Sequence, residues 1–123
     1  MENKEEKCQC GTGDKIVMTC SGASDVGFIS DKIGRALHVG GIRKMACLSM
    51  VGANIEKSIA AFKTKDLLVI DGCPISCGKR MMEQHNFTNY KHSIITNLGL
   101  KKGDAPATDE NIRMVLEKVL KKE

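Results

Sequence analysis

The chain has 123 residues, and hydrophobic residues make up 41% of them, which is enough to form the core of one domain. Aromatic residues make up only 3%, so the stacking platforms on which proteins bind single-stranded nucleic acid are scarce. Much of the net charge of +4 comes from short lysine runs that we interpret as solvated helix ends and loops, so we expect no nucleic-acid partner.

The first part of the chain predicts an arm, a strand and a helix. Residues 1–14, MENKEEKCQCGTGD, are charged and then rich in glycine, and they predict a flexible N-terminal arm in front of a single domain over 15–123. The apolar run KIVMTC (15–20) predicts a buried strand. Helical spacing of apolar residues then predicts a helix from Val26 to about Val39, which ends at Gly40.

The middle of the chain predicts two strands with a short helix between them. IRKMACL (42–48) predicts a second and weaker strand, followed by a loop, SMVGAN. Asn54 is the expected N-cap of a short helix that includes Ile59 and Phe62. DLLVI (66–70) is the clearest strand signal of the sequence.

The last third predicts a helix over GKRMMEQHN (78–86), a fourth strand within HSIITNLGL (92–100) and a final helix. Thr108 is the predicted N-cap of this final helix, because two acidic residues follow it in the first turn. The alternation of strands and helices predicts an α/β domain, with a mostly parallel four-stranded sheet flanked by helices on both faces. Right-handed crossovers favour the strand order 2-1-3-4.

The chain shows no export or membrane signal. Its start, MENKEEK, lacks the apolar segment of a secretory signal, and no run approaches the length of a membrane span, so we predict a cytoplasmic location and no membrane partner. In a reducing compartment, the six cysteines are expected to bind metal or perform chemistry rather than to form disulfides. For Cys8 and Cys10, in the predicted arm, a metal clamp, a labile thiol pair and no role all remain open.

Four cysteines recur in register with the predicted βα units. Cys20, Cys47 and Cys73 lie 27 and 26 residues apart, each at or near the end of a predicted strand, and Cys77 follows near the start of a helix. The C-terminal edge of a parallel sheet is where ligands bind in open α/β folds. A single buried cysteine is usually a small apolar packing residue, but packing gives no reason for repeated placement at strand ends.

The spacing of these cysteines argues against two familiar thiol motifs. Cys73 and Cys77 form C-x-x-x-C rather than the C-x-x-C of thioredoxin-like proteins. A tyrosine-phosphatase loop needs an arginine where Lys79 stands. Histidines are available for a cysteine-protease site, but none lies in a local signature of one.

A metal site with thiolate ligands fits the four cysteines better. Zinc takes four thiolates in a tetrahedral arrangement, and an iron–sulfur cluster can use the same set. The N-terminus of the helix after Ser76, with Lys79 and Arg80 in its first turn, would favour the thiolate form of Cys77. If only three cysteines bound the ion, the open position would make a catalytic metal available.

The blocks CSGASDVG (20–27), ACLSMVGA (46–53) and VIDGCPISCGK (69–79) together resemble the DGC-domain proteins, which are named for their Asp-Gly-Cys triplet. The resemblance runs from about Lys15 to about Leu100. It implies zinc binding with four cysteines as ligands, which on this chain are the residues Cys20, Cys47, Cys73 and Cys77. It implies no particular reaction.

Three hypotheses therefore stand. The first is a zinc-binding protein with a four-cysteine site at the C-terminal edge of the sheet. The second is an enzyme that performs thiol or persulfide chemistry, or an iron–sulfur redox step, at the same cysteines. The third is an interaction domain with inert buried thiols. The sequence does not decide whether the chain is an enzyme.

Overall fold

The computed structural model of the chain describes residues 14–123 and contains the predicted parallel sheet. The strands are β1 (Lys15–Thr19), β2 (Lys44–Met45), β3 (Asp66–Asp71) and β4 (Lys91–Ile94). The helices are α1 (Asp25–Val39), α2 (Ser49–Gly52), α3 (Glu56–Phe62), α4 (Cys77–Gln84) and α5 (Asp109–Lys121), and a 3-10 turn, Ile95–Leu98, follows β4. All strand pairs are parallel and the order is β2-β1-β3-β4, which confirms both predictions.

The alternation of side chains along the central strands gives the sheet two apolar faces. Val17 and Leu68 face a core built with α1 and α5, whereas Ile16 and Leu67 face a second core built with α2, α3 and α4. Because successive residues of a strand point to opposite faces, a sheet buried on both sides needs nearly continuous apolar strands, as KIVM and LLVI provide. Helices therefore cover both faces, as predicted.

The two longest helices begin at side-chain caps, and the cap at Thr108 is the one that the sequence predicts. Ser24 accepts a hydrogen bond from the Gly27 N–H at 3.1 Å, and Thr108 accepts one from the Asn111 N–H at 3.1 Å. Each cap satisfies a backbone N–H group that has no partner within its own helix. These two caps fix the starts of α1 and α5, which pack against each other on one face of the sheet.

The second strand is much shorter than predicted. Only Lys44 and Met45 pair with β1, and the SMVG segment expected in a loop forms the one-turn helix α2. β2 lies at the edge of the sheet and has a single neighbour, so few ladder hydrogen bonds hold it. Asn54 is also not the cap of α3, because it adopts a left-handed conformation with φ of 62° and Ile55 stands at the N-cap.

The buried side chain of Arg43 connects elements at the N-terminal edge of the sheet. Its guanidinium donates to the carbonyl oxygens of Ile16 and Asp66 at 3.2 and 2.8 Å. Its Nε lies 2.9 Å from a carboxylate oxygen of Glu123, and Arg43 itself is only 2% exposed. This arginine therefore connects the turn before β2 to β1, to β3 and to Glu123, two residues past the end of α5.

The predicted arm, with Cys8 and Cys10, lies outside the described residues except for Asp14. The carbonyl of Asp14 accepts a hydrogen bond from the Asp66 N–H at 2.8 Å, next to the β1–β3 pair. Within residues 14–123, the helices are all too short or too polar to cross a bilayer.

Candidate functional site

The four cysteines in register line one cleft of about 1070 Å³ at the C-terminal edge of the sheet. Cys20, Cys47 and Cys73 come just after the ends of β1, β2 and β3, and Cys77 is the first residue of α4. Cys20 and Cys73 are half-buried, whereas Cys47 and Cys77 are exposed. The strand order brings these thiols together because it makes β2, β1 and β3 neighbours.

The thiols share a cleft without forming a complete coordination shell. Among residues 14–123, no three side chains of histidine, cysteine, aspartate or glutamate are arranged to hold a metal ion. The four cysteines thus line the same cleft, but their role as metal ligands stays a prediction.

Hydrogen bonds hold the side chain of Cys20, one of the residues that line the cleft. The Gly72 N–H donates to Cys20 Sγ at 3.1 Å, and the Ser30 hydroxyl oxygen lies 3.6 Å from the same sulfur. The Ser30 hydroxyl donates to the carbonyl oxygen of Cys20. The backbone N–H of Cys20 donates to the carbonyl oxygen of Ile70 at 2.9 Å. A backbone N–H aimed at sulfur stabilises negative charge there, as a thiolate ligand or nucleophile requires.

The glycine of the Asp-Gly-Cys triplet lets the β3–α4 loop lie against the start of α1. A Cβ atom on Gly72 would stand 2.8 Å from both the Gly27 nitrogen and the Val26 carbonyl carbon, which is closer than such contacts allow. The close approach is also what brings the Gly72 N–H within reach of Cys20 Sγ. Gly72 is therefore required by packing as well as by the hydrogen bond.

Replacing Gly72 with alanine is expected to destabilise the fold by about 2 kcal/mol, because the neighbour that must move is backbone rather than a flexible side chain. Gly22→Ala is the matched control, since a Cβ on Gly22 meets no atom within 4 Å. Urea denaturation of both variants measures the difference. Equal stability of the two variants would show that the loop can shift at no cost.

The aspartate of the triplet holds α4 in place. The buried carboxylate of Asp71 accepts hydrogen bonds from the N–H groups of Gly78 at 2.7 Å and Lys79 at 3.0 Å. Its second oxygen also lies 2.8 Å from Nε2 of His92 on β4. The N-cap residue Ser76 has φ of 55° and makes no side-chain cap, so Asp71 does the capping from the neighbouring strand. The N-terminus of α4 was expected to act on Cys77, but two of its N–H groups bind Asp71 instead.

A lysine for which the sequence carries no signal contacts one of the thiols. Lys102 Nζ lies 3.6 Å from Cys73 Sγ, within hydrogen-bonding distance for sulfur. Lys102 belongs to the segment between the 3-10 turn and α5, which we call the Lys102 loop (residues 99–108). The loop follows β4 and therefore lies at the same edge of the sheet as the cysteines.

Asp25, in the first turn of α1, anchors the Lys102 loop. Its carboxylate accepts hydrogen bonds from the N–H groups of Gly103 at 3.1 Å and Ala105 at 3.0 Å. These two bonds from the loop, more than the one from the Val26 N–H, lower the pKa of Asp25 below its ordinary value of 3.8. The ionised form of Asp25 is thus the form that holds the loop.

Acidification is expected to weaken this anchor. A folded-state pKa below the unfolded one means that Asp25 contributes stability above pH 3.8, and that the contribution is lost as the pH falls through the lowered value. The difference in unfolding free energy between the wild type and Asp25→Asn should therefore narrow below pH 3.8. Urea denaturation at several pH values checks this, and a difference that does not depend on pH would contradict it.

Among the residues that line the cleft, Ser21, Asp31 and Arg35 form a small ionic network. Arg35 Nε lies 2.6 Å from one oxygen of Asp31, and the Ser21 hydroxyl donates to the other at 2.9 Å. Partial burial raises the pKa of Asp31, but the hydrogen bonds from Arg35 and Ser21 outweigh it and lower the pKa overall. Arg35 is consequently already neutralised by a carboxylate of its own helix.

His38 also lines the cleft, but the structure does not favour it as a metal ligand. Its Nδ1 accepts a hydrogen bond from the Met45 N–H at 2.9 Å, so in the neutral ring the proton must be on Nε2. A neutral imidazole in this tautomer has no lone pair left at Nε2 for a metal. His38 instead satisfies an N–H on the exposed edge of β2.

Comparison with known proteins identifies the family to which the chain belongs. The family model for the DGC domain matches residues 16–119. The Anaerobic and virulence modulator AnvM of Pseudomonas aeruginosa is 28% identical over 110 residues, which cover 85% of this chain and 84% of that protein. No solved structure matches the chain at a significant level. Since the family model spans most of the chain, including all four cysteines of the cleft, the chain belongs to the DGC domain family.

Proposed function

We propose that this protein binds zinc through Cys20, Cys47, Cys73 and Cys77. The observation that carries the proposal is that all four thiols line one cleft although they come from three different βα units. Four thiolates in a tetrahedral arrangement are a common structural site for zinc, and family membership supports metal binding by cysteines.

The charges of the groups around the thiols are compatible with metal binding. A zinc ion with four thiolate ligands keeps a net negative charge, and the Gly72 N–H and the Lys102 ammonium both lie against sulfur atoms. Among the described residues, no three potential ligands are already arranged around a metal position. Zinc binding would therefore require the exposed Cys47 and Cys77 to move toward the ion. A closed four-thiolate site leaves no open position for a substrate, so the zinc would stabilise the fold or be carried.

Metal analysis of protein purified without oxygen tests the proposal. We expect one zinc per chain, lost or strongly weakened in each of the variants Cys20→Ser, Cys47→Ser, Cys73→Ser and Cys77→Ser. Cys10→Ser changes a cysteine that is not among these four, so it serves as the comparison variant and should keep the metal. Visible absorption of the purified protein would instead identify an iron–sulfur cluster. Full zinc retention in any one of the four cleft variants would remove that cysteine from the site.

Thiol chemistry is a second candidate, favoured by the contact between Lys102 and Cys73. An ammonium group 3.6 Å from a sulfur stabilises the thiolate, which is the nucleophilic form. In metal-free protein, alkylation followed by mass spectrometry gives the reaction rate of each cysteine. A protein that binds no metal and has one fast-reacting thiol, Cys73, would support this candidate over zinc binding.

A further inference from the structure

We infer that the Lys102 loop is a strap that retains the metal, in which Lys102 neutralises the Cys73 thiolate and Asp25 positions Lys102. This inference rests on the proposed zinc site and assigns two residues of that site that bind no metal themselves. It is carried by a continuous series of contacts from α1, through the loop, to a cysteine of the cleft.

A tight turn places Lys102 at the tip of the loop. The Asp104 N–H donates to the carbonyl of Lys101 at 2.9 Å, which closes a four-residue turn with Lys102 and Gly103 at its centre. Gly103 has φ of 89°, a conformation that favours glycine and is typical of the third position in a type II turn. The turn fixes the direction of the loop at the position next to Lys102.

Asp25, in the first turn of α1, holds this turn in place through hydrogen bonds. Its two carboxylate oxygens accept hydrogen bonds from the N–H groups of Gly103 and Ala105, which lie one and three residues after Lys102. Ala105 is also buried in the core that α1 and α5 share. The loop is thus attached at the residues after Lys102, which leaves the lysine side chain free to reach Cys73.

Lys102 is the cation best placed to balance the charge of a metal–thiolate centre. Among the described residues that line the cleft, the other lysine or arginine is Arg35, which is bonded to Asp31 at 2.6 Å. The Lys102 ammonium instead points at a sulfur. Partners that hydrogen-bond to metal ligands change metal affinity by about 10-fold to 100-fold when they are removed. Loss of Lys102 should accordingly weaken zinc binding without removing a ligand.

The experiment measures zinc affinity by competition with a chromophoric chelator at low salt. We expect Lys102→Met to bind zinc about 10-fold more weakly than the wild type, and Lys102→Arg to restore most of the affinity because it keeps a cationic N–H donor. Lys101→Met is the matched control, since it removes an equal charge from the adjacent exposed position. Equal affinities of the Lys101→Met and Lys102→Met variants would overturn the inference.

The role of Asp25 is tested by a double variant. If Asp25 acts through Lys102, Asp25→Asn weakens zinc binding, and Asp25→Asn combined with Lys102→Met binds zinc no more weakly than Lys102→Met alone. Amide exchange at Gly103 and Ala105 should be faster in Asp25→Asn, which reports release of the loop independently of metal. Additive losses in the double variant would show that Asp25 does not act through Lys102. Absence of zinc binding by the wild type would overturn the proposed function itself, whereas the other contrary outcomes affect the strap alone.

Discussion

Replacing Asp71 with alanine is expected to destabilise the fold by about 3 kcal/mol, because two backbone N–H groups of α4 lose their acceptor. Gly78 is buried, and the Asp71 carboxylate is only 1% exposed, so water cannot simply take the place of the carboxylate. The hydrogen bond to His92 is lost as well. Since α4 begins with Cys77, the same change should also displace a cysteine of the cleft.

Urea denaturation and zinc titration of the same variants separate the two effects. Asp71→Asn should be less destabilising than Asp71→Ala, because the amide oxygen still accepts one of the two N–H groups. Asp104→Ala is the control, since that aspartate is exposed. If Asp71→Ala unfolded at the same urea concentration as the control, Asp71 would not be the cap that holds α4.

Replacing Arg43 with methionine is expected to cost about 3 kcal/mol or more, since it leaves the partners of a buried charge without their donor. The carbonyls of Ile16 and Asp66 and the carboxylate of Glu123, which is 14% exposed, would all lose hydrogen bonds. Methionine keeps much of the length and apolar volume of arginine, so the loss reports hydrogen bonding and charge more than a cavity.

The exposed Arg113 provides the control, and Arg113→Met should change stability by less than about 0.5 kcal/mol. Arg43 lies at the N-terminal edge of the sheet and the cysteines lie at the C-terminal edge. If the wild type binds zinc as proposed, folded Arg43→Met should therefore bind it with the same affinity. If Arg43→Met were as stable as Arg113→Met, packing alone would hold the N-terminal edge of the sheet together.

Much of the fold could be predicted because its signals are local. The apolar runs at 15–20 and 66–70, the helical spacing over 26–39 and the cap at Thr108 all correspond to elements of the structure. The strand order followed from the alternation of elements together with the handedness of crossovers. The placement of four cysteines around one cleft then followed from the order of the strands.

The residues that support the site could not be predicted in the same way, because their partners are distant in sequence. Asp25 binds the N–H of Gly103, and Arg43 binds the carboxylate of Glu123, pairs that no periodicity relates. A signal did exist for Asp71: the helix after Ser76 needed an acceptor for its first N–H groups, and an acidic residue ends the strand before it. The length of β2 was overestimated because the pattern of 42–48 does not show where pairing with β1 ends.

The shortness of β2 has a kinetic consequence. A strand of two residues with one neighbour is among the first parts of a domain to open transiently while the rest stays folded. Its amide hydrogens should exchange with solvent faster than those of β1 and β3, which lie in the middle of the sheet. Cys47 lies two residues after the end of β2, so each opening would carry its thiol away from the other three. If Cys47 binds zinc, the frequency of this local opening, rather than global unfolding, sets how fast the ion leaves.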